Sequence, residues 1–241
     1  MIPLAASCQN SSCCTLREDA PDLSNIMEVK EGGLRDLNAV ANIWPKQQIP
    51  YVISPDLANR RDDILSAMAM VSKPTCVTFH PRITEMNYLQ FTTSTGCASF
   101  VGLIGGKQPV FVGPHCMVGN IVHEILHTLG FQHEHTRMDR DQYITVLSPN
   151  IMEGKRMEIN FQKYKGETFD LPYDVSSIMH YGSGFFSRNG KPTILSKKQV
   201  SDMGQRVRMT DLDIKRPLKY HFKPLEGAVI VMSHGHKSNN G

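Results

Sequence analysis

Two histidines stand four residues apart at His123 and His127, and Glu124 directly follows the first. On a helix that spacing projects both imidazoles from one face. Glu124 then reaches a water on the same metal, the H-E-x-x-H arrangement of two zinc ligands and a general base. Gly130 suits a left-handed position that ends the helix, after which the chain turns back and His133 supplies a third nitrogen. Three protein ligands leave the fourth position for water, the mark of a catalytic rather than a structural zinc. Gly130 and His133 at their spacings make a chance match far rarer than H-E-x-x-H alone.

The span His123 to His133 resembles the metzincin signature, H-E-x-x-H-x-x-G-x-x-H. Glu134 follows the third histidine, and the run His133-Glu134-His135-Thr136-Arg137-Met138-Asp139-Arg140-Asp141 is similar to the astacin pattern H-E-x-x-R-x-D-R-D. Ser177-Ile178-Met179-His180-Tyr181 resembles the astacin Met-turn, S-x-M-H-Y. The similarity extends from about Trp44 to about Tyr220.

That resemblance implies an α+β fold: a two-lobed metzincin domain, with a twisted mixed sheet and the active-site helix in the upper lobe. The lower lobe is irregular and ends in a C-terminal helix. It implies one zinc per chain held by His123, His127 and His133, with Glu124 as base. Tyr181 would donate to the oxyanion and act as an additional, switchable ligand, and Met179 would form an apolar floor beneath the metal. Glu134 would pair, through water, with an α-amino group freed by processing, and Cys97 would bridge to Cys116. The activity implied is that of a secreted zinc metalloendopeptidase, made as a zymogen, whose protein or peptide substrate lies extended along an edge strand. The egg-type hatching astacins are the nearest in plan. The reading set against it is a secreted zinc-binding pseudoenzyme or binding module; the presence of Glu124 and Tyr181 argues against that.

The chain departs from the family in three places. Leu103 stands where arginine is usual, so a preference that depends on that charge is not expected. Cys76 matches a cysteine that normally bridges to one near the C-terminus, but Lys219-Tyr220-His221-Phe222-Lys223 has none. Cys76 is therefore either a thiol or a partner of Cys8, Cys13 or Cys14. In Lys30-Glu31-Gly32-Gly33 a glycine occupies the position of the zinc-blocking propeptide aspartate, so that switch is expected to be missing unless Glu28 or Glu31 substitutes.

These side chains need elements to hold them. Residues 49–53 read as a strand, and Leu57, Arg61, Ile64, Leu65 and Met68 share a helical face capped by Ser54 or Asp56. Residues 76–79 and 88–92 read as two more strands. The Gly-rich run 101–106 links into a strand at 110–112, taken as the substrate-pairing edge. Residues 121–129 form the active-site helix, with Val122, Ile125, Leu126 and Leu129 on its buried face. A helix is expected over 150–161, packed through Ile151, Met157 and Phe161. Thr210 and Asp213 fit a capping box for a last helix that Pro217 interrupts. His135 and His180 are expected behind the ligands or at the surface, and Arg137, Asp139 and Asp141 form a charge network. Lys46 and Lys107 read as solvated charges, and His234 and His236 as part of a solvated tail.

At 241 residues the chain holds one sizeable domain plus tails. Residues 1–35 read as a propeptide or N-terminal segment with a sequon at Asn10, 36–223 as the peptidase domain and 224–241 as a polar tail. Processing is expected near Arg35 to Asn38. The net charge of +3 comes with no basic stripe for nucleic acid, and no apolar run spans a bilayer. No oligomer is implied. The even count of six cysteines reads as an oxidising environment. The first seven residues are too short for a signal peptide and lack its basic region, so secretion rests on the resemblance and the cysteines.

Overall fold

The computed structural model describes residues 43–154 and 158–221. Apolar runs that read as strands in the first half become neighbours in one sheet. In chain order these are β1 (Gln48–Ile53), β2 (Thr78–Pro81), β3 (Tyr88–Thr93), β4 (Ala98–Ser99) and β5 (Lys107–Val112). The spatial order is β2-β1-β3-β5-β4; β4 runs antiparallel to β5, and the other pairs are parallel. The strand carrying Val110 and Val112 is therefore interior, and the edge beside it is the two-residue β4. The expectation that residues 110–112 form the substrate-pairing edge is corrected accordingly. Cys76 and Val77 precede β2 and are buried in the approach to it.

A 3-10 turn over Pro55–Arg60 leads into α1 (Arg61–Ser72), and α2 (Val118–Thr128) packs against α1 and against β4 and β5. Leu57, Ile64, Ala67, Met68 and Val71 form the buried face, whereas Arg61 is exposed. Neither expected cap operates at that start. Pro55 opens the turn, and the Ser54 hydroxyl instead accepts a hydrogen bond from Gln90 Nε2 at 2.7 Å. Ile64, Val71, Leu89, Phe91, Val110, Ile121, Val122 and Ile125 are 0–1% exposed and make one core. Each such side chain stabilises the fold by roughly 1.5–3 kcal/mol relative to exposure.

The second half has little regular structure: β6 (Ile144–Val146) pairs antiparallel with β7 (Ile194–Ser196), and α3 (Asp211–His221) closes the domain. A smaller core of Ile144, Ile151, Phe161, Tyr173, Tyr181 and Ile194 sits here. The helix expected over 150–161 does not form among the described residues. Ile151 makes an isolated bridge to Ser187, and helical turns appear only at 148–150 and from residue 158. Ile151 and Phe161 are nonetheless buried, while Met157 lies outside the described residues. Pro217 does not interrupt the last helix, which continues across it without the one N–H that proline lacks. Its start is a reciprocal capping box: Thr210 Oγ1 accepts from the Asp213 N–H at 3.1 Å, and Asp213 Oδ2 accepts from the Thr210 N–H at 3.0 Å. The proposed N-terminal segment, Arg35 and the C-terminal tail lie outside the described residues.

Candidate metal centre

Helix α2 is buried almost all round, so its polar residues 123, 124 and 127 sit in protein rather than in water. Its first turn approaches other backbone so closely that a Cβ on Gly119 would lie 1.8 Å from the Arg206 carbonyl oxygen. Its end is a complete Schellman turn. The Gly130 N–H donates to His127 O at 2.8 Å and the Phe131 N–H to Leu126 O at 3.2 Å, with Gly130 at φ 101°. A side chain at residue 130 would be strained there. The turn swings the chain back and delivers His133 to the helix face bearing His123 and His127.

The three Nε2 atoms are each 3.1 Å from the other two. Nitrogens bound at about 2.0–2.1 Å around a tetrahedral zinc stand roughly 3.3 Å apart, so the spacing fits one face of that tetrahedron. The protonation state agrees. His123 Nδ1 donates to Ile178 O at 2.8 Å and His127 Nδ1 to Phe131 O at 2.6 Å, so their Nε2 atoms present lone pairs. Burial lowers all three imidazole pKa values, that of His127 to about 4, and the rings remain neutral. Lone pairs converging at this distance repel one another unless a cation lies between them. Among the described residues these three are the group able to hold a metal ion.

Glu124 is buried beside the triad and accepts a hydrogen bond from the Ser99 hydroxyl at 2.9 Å, although the Glu124 carbonyl oxygen competes for that hydrogen at the same distance. Burial raises its pKa to about 7, against the opposing pull of Ser99 and of the Arg206 charge. Such a carboxylate is poised to take and return a proton near neutrality. Tyr181 lies with its ring 4.5 Å from that of His133 and stacked at 4.0 Å on that of His135. Burial pushes its phenol up to about 12, so it is a proton donor to hydrogen bonds and not an anion.

Behind the third ligand, Glu134 is 3% exposed. Its Oε1 accepts from Arg137 Nη1 at 3.2 Å and from the Asp174 N–H at 2.9 Å. Arg216 Nη2 of α3 lies 2.7 Å from its Oε2, an ion pair without the alignment of a hydrogen bond. The Glu134 N–H donates to Met179 O at 3.1 Å, which ties the Met-turn to the third ligand. Met179 itself is fully buried in the main core. Asp139 joins this network through Arg137 at 2.8 Å, but Asp141 turns away to Lys163 at the surface. The two extra histidines are wholly buried, not surface groups. His135 Nε2 donates to Asn160 O at 2.8 Å, and His180 Nδ1 donates to Tyr181 O at 2.6 Å while its Nε2 accepts from the Tyr173 hydroxyl at 2.8 Å. Leu103 packs partly buried against the main core. Cys97 is joined to Cys116, which links the start of β4 to the approach to α2. Ser99, Arg206 and Arg216 also belong to the site and escape a reading of the sequence. No local motif announces them, since each reaches the site from a distant part of the chain.

A mixed sheet and an H-E-x-x-H helix that turns at glycine toward a third histidine define a metzincin-type zinc domain. Residues 36–222 match the peptidase family described as Astacin. The chain is 41% identical to zinc metalloproteinase nas-4 of Caenorhabditis elegans over 207 residues, 81% of this chain and 65% of that protein. It is 39% identical to bone morphogenetic protein 1 of Xenopus laevis over 83% of this chain and 30% of that protein. It thus spans less than two thirds of the length of these relatives. Among solved structures it is similar to high choriolytic enzyme 1, a hatching enzyme zinc-protease from Oryzias latipes. There the identity is 34% and the TM-score 0.68, covering 82% of this chain and 99% of that one. The chain belongs to the astacin family.

Proposed function

We propose that this chain is a zinc-dependent endopeptidase that hydrolyses internal bonds of protein substrates. The observation that carries the reading is the triangle of three Nε2 atoms, 3.1 Å on each side, with a buried carboxylate one residue from the first ligand. When bound, zinc supplies a Lewis acid that lowers the pKa of a water to ~7. His123, His127 and His133 would hold that ion. Glu124 takes the proton of the attacking water and returns it to the leaving amine. The Tyr181 hydroxyl donates to the developing oxyanion. Substrate lies extended against the outer edge of β4, so that the strand holding Ser99 both pairs with substrate and touches the base. The Cys97–Cys116 disulfide supports secretion, since such bonds persist in oxidising compartments. No described helix is long and apolar enough to cross a membrane.

The test is casein or gelatin cleavage by the processed protein, with and without a chelator, beside elemental analysis. About one zinc per chain and chelator-sensitive cleavage are expected. Glu124→Gln should keep fold and zinc and lose proteolysis by several orders of magnitude. Zinc without cleavage would favour the pseudoenzyme; absence of zinc after folding with the metal would overturn both.

A further inference from the structure

His180 is wholly buried and ties two tyrosines together. Its Nδ1 lies 2.6 Å from the carbonyl oxygen of Tyr181, and its Nε2 lies 2.8 Å from the Tyr173 hydroxyl. A carbonyl only accepts, so Nδ1 carries the hydrogen. Burial keeps the ring neutral, so Nε2 offers a lone pair and the Tyr173 hydroxyl must donate to it. The direction of donation is therefore fixed: Tyr173 to His180, and His180 to the peptide that follows Tyr181. Tyr173 is itself held. Its ring stacks on Tyr143 at 4.7 Å with 5° between the planes, and the Arg137 guanidinium carbon stands 5.4 Å from its centroid.

Main chain closes in on that peptide as well. Gly204 has φ 81°, and a Cβ there would lie 2.4 Å from the Gly182 nitrogen and 3.2 Å from the Tyr181 carbonyl carbon. The 181–182 peptide is thus bonded to an imidazole and backed by another stretch of backbone. The Tyr181 ring has less directional surroundings. It stacks on His135 at 4.0 Å, with Phe185 at 5.0 Å and Phe161 at 6.0 Å. Ring contacts hold a plane but let it slide, so they aim a phenol oxygen less sharply than a hydrogen bond would. The hydroxyl also sits at the far end of its side chain, where a small rotation of the main chain is magnified. A misplacement of about 1 Å can cost on the order of 10²-fold in rate.

We propose that His180, oriented by the Tyr173 hydroxyl, is a positioning residue for hydrolysis: it fixes the main chain at Tyr181 so that the phenol oxygen meets the oxyanion as it forms. Both groups act through Tyr181 and not on the substrate. Their loss should therefore lower kcat with little change in KM, and should cost almost nothing further once the Tyr181 hydroxyl is gone. The inference rests on the endopeptidase reading.

The test compares the zinc-loaded full chain with His180→Gln, His180→Asn and Tyr173→Phe, each made alone and together with Tyr181→Phe. Zinc content, melting temperature, kcat and KM on one peptide are measured, with the inhibition constant of a phosphinic peptide of matching sequence. A phosphinate carries the tetrahedral shape and negative charge of the intermediate. In folded, zinc-replete His180→Gln kcat should fall about 10- to 30-fold, KM should change less than about threefold, and phosphinate affinity should fall by the factor seen in kcat. Tyr173→Phe should lose about three- to tenfold. The amide nitrogen of asparagine can take the place of Nδ1, so His180→Asn should recover to the level of Tyr173→Phe. In the Tyr181→Phe chain the same changes should each cost less than about twofold. A fall in kcat that persists undiminished in Tyr181→Phe would overturn the proposal, since His180 would then serve the fold alone. So would an unchanged kcat in His180→Gln, or a His180→Asn chain as impaired as His180→Gln. If His180→Gln fails to fold, Tyr173→Phe decides: its loss must vanish in the Tyr181→Phe background. If the parent holds zinc yet cleaves nothing, the endopeptidase reading falls, while the phosphinate comparison still tests His180.

Discussion

The hydroxyl of Ser99 is 2.9 Å from a carboxylate oxygen of Glu124, so the edge strand of the sheet and the helix that carries His123 and His127 touch directly. Ser99→Ala removes the described side-chain donor of that carboxylate. A hydrogen bond to a charged group is worth about 1.5–3 kcal/mol, so kcat should fall on the order of tenfold with KM nearly constant. Ser99→Thr keeps the hydroxyl and should recover activity. Equal activity of Ser99→Ala and the parent in steady-state assays would remove Ser99 from the mechanism.

Tyr181→Phe keeps the ring that stacks on His135 and lies beside His133, and deletes only the phenol oxygen. The expected outcome is a lower kcat with little change in KM or melting temperature. An unaltered kcat would return Tyr181 to a packing role in the smaller core.

Acid should unfold the chain partly through His180. Burial lowers its pKa to about 4, with the hydrogen bond to Tyr181 O opposing, whereas the unfolded ring takes up its proton near 6.5. Between those values the unfolded state binds more protons. Stability from this group is therefore full above pH 6.5 and is lost as pH falls toward 4, by up to on the order of 3 kcal/mol. The ligand histidines, also depressed by burial, titrate in the same direction. Melting temperature followed from about pH 7 to about pH 4 should fall, and less steeply in His180→Gln. Identical slopes for the two chains would exclude His180 as a contributor.

Cys97 and Cys116 close a loop across a sequence separation of 19. Opening it by replacing both with serine should cost about 3 kcal/mol, read from the denaturant midpoint. Peptide mapping of secreted, unreduced protein should recover the two as one linked fragment.

Latency is tested by comparing an uncleavable Arg35→Ala chain with one that starts at Asp36. Glu134 lines a cavity with Phe131, Tyr164, Phe169 and Arg216, and its carboxylate already has Arg137, Arg216 and the Asp174 N–H against it. With a glycine in place of the blocking aspartate, the uncut form should show measurable basal proteolysis, and cutting should raise it. Complete silence of the uncut form would point to Glu28 or Glu31 as the blocking group. Equal rates would mean that Glu134 does not sense the terminus.

What can be read in the sequence is what short-range geometry dictates. His123, Glu124 and His127 announce themselves through helical spacing, and Gly130 through the backbone that a Schellman end requires. His133 follows from that turn. The supports are not legible there, because Ser99, Arg206 and Arg216 meet Glu124, His180 and Glu134 only through tertiary folding. Periodicity fails where burial arises without regular structure: Ile151 and Phe161 are core residues of a segment held by a bridge and turns. The outer edge of the sheet beside α2 escapes it too, because β4 is two residues long, too short for any alternation pattern. Pro217 reads as an interruption, yet α3 runs on past it.

The ion pair from Arg216 to Glu134 also carries information about time. All three ligands are in the nascent chain once residue 133 has been made, but the cation nearest the carboxylate behind the third ligand lies in the final helix. During synthesis from the N-terminus, a ribosome must therefore translate nearly the whole domain before Arg216 joins Arg137 against that carboxylate. A half-made chain holds the three histidines with only part of that backing, and the contacts behind His133 are complete only once the final helix has been made.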